Sequence, residues 1–216
     1  MAWRMLMRRC PSRSMTVVGD LAQTGAAGGA DSWAQVLDPL APGRWRIARL
    51  SVNYRTPKAA MALAARLLPS GMTPPLSVRD SGDNPWYVEG STSGRLADLI
   101  RRETQFVGDG RVAVIAPPFR IRETAGALAV APGPDLDAPV AVLTPAQAKG
   151  LEFDSVVVVD PGGIAAASSR GRSDLYVAMT RSTNRLGLVV TGELPAELRA
   201  AVAESLTQLS ATPATE

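Results

Sequence analysis

An α/β fold with a mainly parallel central sheet is what this sequence predicts, and three observations carry that expectation. Near-continuous β-branched runs recur at 15–20 (MTVVGD), 111–118 (RVAVIAPP), 138–145 (APVAVLTP), 154–161 (DSVVVVDP) and 185–192 (RLGLVVTG). Strands so uniformly apolar are usually buried on both faces, as in a parallel sheet. Helical stretches alternate with them, at 56–68, 91–107, 120–130, 172–183 and 195–209. Finally, 46% hydrophobic residues in a chain of 216, with a mean hydropathy of +0.05, provide a sizeable core. That is enough for one generous domain, or one domain plus part of another. Open sheets of this kind place ligands at the carboxyl ends of their strands.

Taken in order, the opening segment 1–47 differs from the rest. It offers one helix-like piece, one buried strand and the glycine-rich loop GAAGGAD (25–31), too little for a core of its own. Its start, MAWRMLMRRCPSR, is basic but has no apolar h-region and no small-residue cleavage site, which argues against a secretory signal. In TVVGDLAQTG, Asp20 falls at the carboxyl end of a strand and Gln23 follows three residues later. An amide that donates and accepts suits sensing a phosphate or orienting a water, although a plain turn accounts for the same residues.

LSVNYRTP (50–57) reads as a helix start, with Thr56 as cap and Pro57 opening the helix. Arg55 sits just outside that anion-favouring turn, beside the flat ring of Tyr54. This combination suits a nucleotide, and a surface arginine explains it equally well. The segment 68–85, rich in Pro and Gly, is a connector. In VLTPAQAKGLEFDSVVVVD (142–160), Thr144 caps a one-turn helix opened by Pro145. The turn ends at Gly150, so Lys149 and Glu152 are held at the sheet's edge; a purely structural Lys–Glu pair is the competing account. LYVAMTRSTNRL (175–186) reads as an amphipathic helix in which Arg181 interrupts the apolar stripe, and the tail 210–216 reads as disordered.

Composition removes several chemistries. The chain has no histidine, which excludes His-based metal sites, Ser-His-Asp triads and Cys-His pairs. Cys10 stands alone, which builds no disulfide framework and suits a reducing cytoplasm. No apolar run reaches the roughly 18 residues that span a bilayer. Lys58 and Lys149 are the only lysines among 23 basic residues. That arginine excess fits GC-rich codon usage or phosphate recognition. No GxGxxG opens a strand–helix unit, so a Rossmann dehydrogenase fails.

In order along the chain, GDLAQ, NYRTP, AKGLEFDSVVVVD and LYVAMTRSTNRL resemble the third to sixth motifs of superfamily 1 helicases of the UvrD/Rep type. The resemblance covers nearly the whole chain. It implies a RecA-like domain, with 1–47 the trailing part of a first RecA-like domain and 48–216 the second. In that family two such domains clamp ATP between them, and the first holds the phosphates and Mg2+. Carried over by position, Gln23 would contact the γ-phosphate and Asp20 would support the same motif. Arg55 and Arg181 would be arginine fingers and Tyr54 would stack near the adenine. Glu152 would touch the ribose side, with Lys149 and Gly150 shaping that loop.

Three departures qualify what the resemblance implies. No GxxxxGK[ST] occurs and no Asp-Glu pair follows a strand, so the chain alone is expected to lack ATPase activity, its partner being the amino-terminal RecA-like domain of the same parent protein. The span between NYRT and AKGLEF leaves no room for the large inserted domain of UvrD and Rep. The family's aromatic segment after the Gln is replaced by TGAAGGAD, and its His ahead of Lys-Gly by Ala146 and Gln147. Single-stranded DNA binding should be weakened accordingly. These departures are similar to the HelD branch, which acts on RNA polymerase. A stand-alone docking module without ATPase activity is the alternative from another class.

Overall fold

Alternate residues of each central strand feed two separate cores, which is the signature of a sheet covered on both faces. In the computed structural model this pattern is seen over residues 2–12, 14–24, 29–30, 32–80, 84–90, 93–135, 137–205 and 207–208. The tail 210–216 and residues 25–28 and 31 of the glycine-rich loop lie outside the described residues. The helices are α1 (Ala2–Arg9), α2 (Trp33–Leu37), α3 (Lys58–Ala65), α4 (Ser93–Val107), α5 (Ile121–Ala127), α6 (Pro145–Ala148), α7 (Pro161–Ala166), α8 (Gly171–Met179) and α9 (Ala196–Ser205). The strands are β1 (Val52–Asn53), β2 (Leu76–Ser77), β3 (Trp86–Glu89), β4 (Val112–Ile115), β5 (Val140–Leu143), β6 (Phe153–Val159), β7 (Ser182–Val190) and β8 (Thr207–Gln208).

Among the described residues the main sheet runs β5-β4-β6-β7-β3-β8, with every pair parallel. A separate parallel ribbon joins β1 to β2. Ala113, Ile115, Val156, Val158, Leu186 and Leu188 face one core, shared with α3, α8 and α9. Val112, Val114, Val157 and Val189 face the other, shared with α4 and α5. A parallel α/β sheet with helices on both faces was the prediction, and it holds. Gly187 has a specific task within it, because a Cβ there would overlap the Trp86 ring of β3.

Three local expectations fail, each for a physical reason. Residues 15–20 form no strand; Val18 is 86% exposed. No described strand pairs with them, so their main-chain groups have no ladder to join. The supposed helix 175–186 ends at Met179. Thr180 Oγ1 donates back to the Tyr176 and Val177 carbonyls, satisfying acceptors at the helix terminus, and β7 then begins at Ser182. Thr56 does not cap α3. The N-cap position is Pro57, with no side-chain cap bond. Thr144 does cap α6, in a capping box with Gln147.

Glu103 of α4 is 4% exposed and takes two bonds from Arg185 of β7, at 3.0 and 3.2 Å. It accepts a third from Ser155 Oγ of β6 at 2.6 Å, and the Arg185 guanidinium lies 3.8 Å from the centre of the Phe106 ring. The cluster ties α4 to both central strands. Removing one partner of a buried pair leaves an uncompensated charge, at about 3–5 kcal/mol. Arg185→Ala should therefore lower the unfolding free energy by about 3 kcal/mol in urea titration. A loss near zero would show that solvent already satisfies Glu103.

Candidate functional site

Because β6 and β7 are parallel, the residues just ahead of them meet at one end of the sheet. Glu152 precedes Phe153, and Arg181 precedes Ser182; the Phe153 amide donates to the Arg181 carbonyl at 3.0 Å. The candidate cluster therefore sits at the amino ends of the central strands, not at the carboxyl ends expected for this architecture.

Arg181 is 2% exposed, yet among the described residues it forms no ion pair. Nε donates to the Val177 carbonyl at 3.0 Å, Nη1 to the Leu151 carbonyl at 3.4 Å, and Nη2 to Thr180 Oγ1 at 3.2 Å and Gln23 Oε1 at 3.4 Å. Every acceptor is neutral. Burial first and the nearby Arg55 charge second lower its pKa to about 10, against the opposing pull of Tyr176, Asp20 and Glu152. The same surroundings, burial first and Asp20 second, raise the Tyr176 phenol to about 12 against the opposing pull of Arg181 and Arg55.

Arg55 lies in the loop between β1 and α3, where Asn53 Oδ1 accepts its main-chain N–H at 2.9 Å. Its Nη1 is 3.7 Å from Glu152 Oε2, with the two side chains 37% and 62% exposed. Such an exposed pair is weak and readily exchanged. Arg55 Nε is buried without a hydrogen-bond partner, a state that costs free energy until an acceptor arrives.

The segment around Gln23 docks onto this end. Asp20 caps the short 3-10 turn Leu21–Gln23, accepting from the Ala22 amide at 2.9 Å and from Gln23 Nε2 at 2.8 Å. Ala22 is buried in the core beside α8. Lys149 Nζ donates to the Gln23 carbonyl at 2.8 Å, so the Lys149–Glu152 pair considered from the sequence does not form. Arg170 Nη2 holds the Gly29 carbonyl at 2.7 Å. Gly150 has φ +85°, a left-handed turn that glycine adopts freely.

Asp20, Gln23, Lys149 and Arg181 are thus joined by hydrogen bonds, and the Arg55–Glu152 pair lies close enough to act on the Arg181 charge. Tyr54 stands beside Arg55 with 73% of its surface exposed, free of packing that would fix its ring. Sequence reasoning missed Tyr176, Thr180 and Asp174. Tyr176 and Thr180 are one helical turn apart and Thr180 immediately precedes Arg181, and that spacing was the available signal. Burial raises the Asp174 carboxyl, with Lys149 opposing the shift. Among the described residues no group of three or more His, Cys, Asp or Glu could hold a metal ion, and no helix is long and apolar enough to cross a membrane.

The backbone matches the C-terminal domain of a possible DNA helicase from Lactobacillus plantarum WCFS1, with a TM-score of 0.52 at 22% identity over 68% of this chain and 92% of that one. The fold is therefore that of helicase C-terminal domains of the RecA-like type. Residues 139–189, which span β5 to β7, match the UvrD-like helicase C-terminal domain family. Arterivirus nonstructural protein 10, a helicase in complex with DNA, matches at a TM-score of 0.36 and 17% identity, over 58% of this chain and 34% of that one. No curated protein sequence matches.

The opposed shifts of Tyr176 and Arg181 give an alkaline test. Folding raises the phenol pKa from 10.0 to about 12, so that contribution is complete below the lower value and is lost as the pH rises through the upper one. Folding lowers Arg181, so its charged form opposes folding until the pH passes about 10. Relative to its own stability at neutral pH, Tyr176→Phe should lose less than the unaltered chain between those two values. Urea midpoints across the window measure this; equal declines would contradict the assignment.

Proposed function

We propose that this chain is the ATP-clamping C-terminal part of an ATP-dependent helicase or translocase of the UvrD-like kind. Arg55 and Arg181 are its arginine fingers, reaching a triphosphate that another RecA-like domain holds together with its Mg2+. The observation that carries this reading is the pairing of a buried arginine that has no carboxylate partner among the described residues with a second arginine whose Nε is buried and unbonded there. An incoming anion would satisfy the Arg55 Nε donor and offer the Arg181 charge the counter-charge that its neutral acceptors do not. The match of residues 139–189 to the UvrD-like helicase C-terminal domain supports the class.

On this reading Gln23 meets the γ-phosphate, its amide already oriented by Asp20 on one side and Arg181 on the other. Glu152 releases Arg55 to the nucleotide and contacts the ribose side, and the exposed Tyr54 ring stacks near the adenine. Lys149 and Gly150 keep the Gln23 segment in register with Arg181. Bound ATP with Mg2+ supplies the transferable phosphoryl group. The residues of this chain supply positive charge and orientation where negative charge develops. The magnesium ligands belong to the domain that holds the triphosphate.

Single-stranded DNA is the proposed track, bound weakly. Ala146 and Gln147 stand where the family has a His, and Gln147 Oε1 is engaged by the Thr144 N–H at 2.9 Å and by Thr144 Oγ1 at 3.0 Å. The same observation favours a second reading, a HelD-like part acting on RNA polymerase or a docking module without ATPase activity.

The test combines this chain with a nucleotide-holding RecA-like domain of a UvrD-like parent and follows phosphate release with and without single-stranded DNA. The chain alone should release none. The combination should turn over ATP, and Arg181→Ala should lower the rate by on the order of a thousandfold or more. Failure of two folded parts to restore turnover would favour the docking module.

A further inference from the structure

The two arginine-bearing segments meet at a pair of buried threonines. Thr56, directly after Arg55, is 0% exposed, and Thr180, directly before Arg181, is 3% exposed. The Thr56 hydroxyl donates to the Thr180 carbonyl at 3.2 Å, joining residues 124 positions apart. The Thr180 hydroxyl in turn accepts Arg181 Nη2 at 3.2 Å and donates to the Tyr176 carbonyl at 2.9 Å. From the other side, Ser77 Oγ of β2 donates to the Thr56 carbonyl. Asn53 Oδ1 accepts the Arg55 and Thr56 amides at 2.9 and 3.2 Å.

Thr56 occupies a place where a threonine ordinarily caps the following helix, yet α3 starts without a side-chain cap. Its hydroxyl serves a long-range bond instead of the local one. The Arg55 loop is thereby fastened to the turn that ends α8, and the same turn steers the Arg181 guanidinium. Asn53 fixes the Arg55 main chain, whereas the ion pair of its guanidinium with Glu152 is solvent-exposed.

We propose that Thr56 and Thr180 form a positioning strap that sets the separation of the Arg55 and Arg181 guanidinium groups, and so makes them a two-pronged receptor for one polyphosphate. This rests on the reading of the cluster as a triphosphate site. Neither threonine is a catalytic residue; both act through the arginines. Holding charged donors in place before the ligand arrives is what gives such a pair its advantage over two independent cations.

A double-mutant cycle on the whole chain tests the strap, with sodium tripolyphosphate as probe and calorimetric titration as readout. Thr56→Ser keeps the donor and should bind as the unaltered chain does. Thr56→Val keeps the shape but loses the donor, and should bind about tenfold more weakly, the effect of one lost buried hydrogen bond. In an Arg55→Ala background the Thr56→Val change should have no further effect, since no second guanidinium remains to be positioned. Unchanged affinity for Thr56→Val, or a penalty that persists in full without Arg55, would overturn the strap. Should Thr56→Val fail to fold by circular dichroism, Thr180→Val takes its place with Arg181→Ala as the second arm of the cycle. That change keeps the carbonyl Thr56 engages and removes the hydroxyl that steers Arg181, so it should weaken binding about tenfold alone and have no further effect without Arg181. Absence of binding by the unaltered chain would overturn the preset two-pronged receptor, and the strap with it, whereas the arginine-finger reading stands or falls on the turnover of the combined domains.

Discussion

A buried guanidinium that forms no ion pair among the described residues is the constraint around which this end of the molecule is organised. A buried cation is costly unless its donors are met, and Arg181 meets its requirement with main-chain carbonyls and neutral side-chain oxygens. Each acceptor comes from a different piece of structure: α8 itself, the turn after it, the loop before β6 and the turn at Gln23. The charge stays uncancelled while the geometry is tightly specified. A carboxylate in that place would have stabilised the resting protein and removed its capacity to attract an anion.

That arrangement also explains why the cluster lies at the amino ends of β6 and β7. The end of α8 delivers Arg181 immediately before β7, and Leu151 and Glu152 arrive immediately before β6. The usual expectation for open α/β sheets rests on loops that follow strands. Here the loops that precede them converge, because both helical segments return across the same face to start their strands.

Much of the fold was legible in the sequence because the central strands are β-branched and continuous. Val112–Ile115, Val140–Leu143 and Phe153–Val159 all fall within or beside the predicted runs. Trp86–Glu89 escaped notice since NPWYVEG is short and follows a stretch full of turn residues. Residues 15–20 misled for the opposite reason: a strand needs a neighbour, and composition does not reveal whether one is available. The end of α8 was misplaced because the polar residues after Met179 also suit the outer face of an amphipathic helix, and only the back-bonding of Thr180 shows where the period changes. Within the candidate site the charged members were readable, as charge in an apolar context draws attention. Thr56, Thr180 and Tyr176 were not, since hydroxyls carry no such contrast until their partners are known.

The contact between Lys149 and Gln23 runs to a main-chain oxygen, an atom that every amino acid possesses. The tether is therefore indifferent to which side chain occupies position 23. Evolution, or an engineer, is free to exchange the amide there without setting the segment adrift, so docking and chemistry at this point are inherited separately.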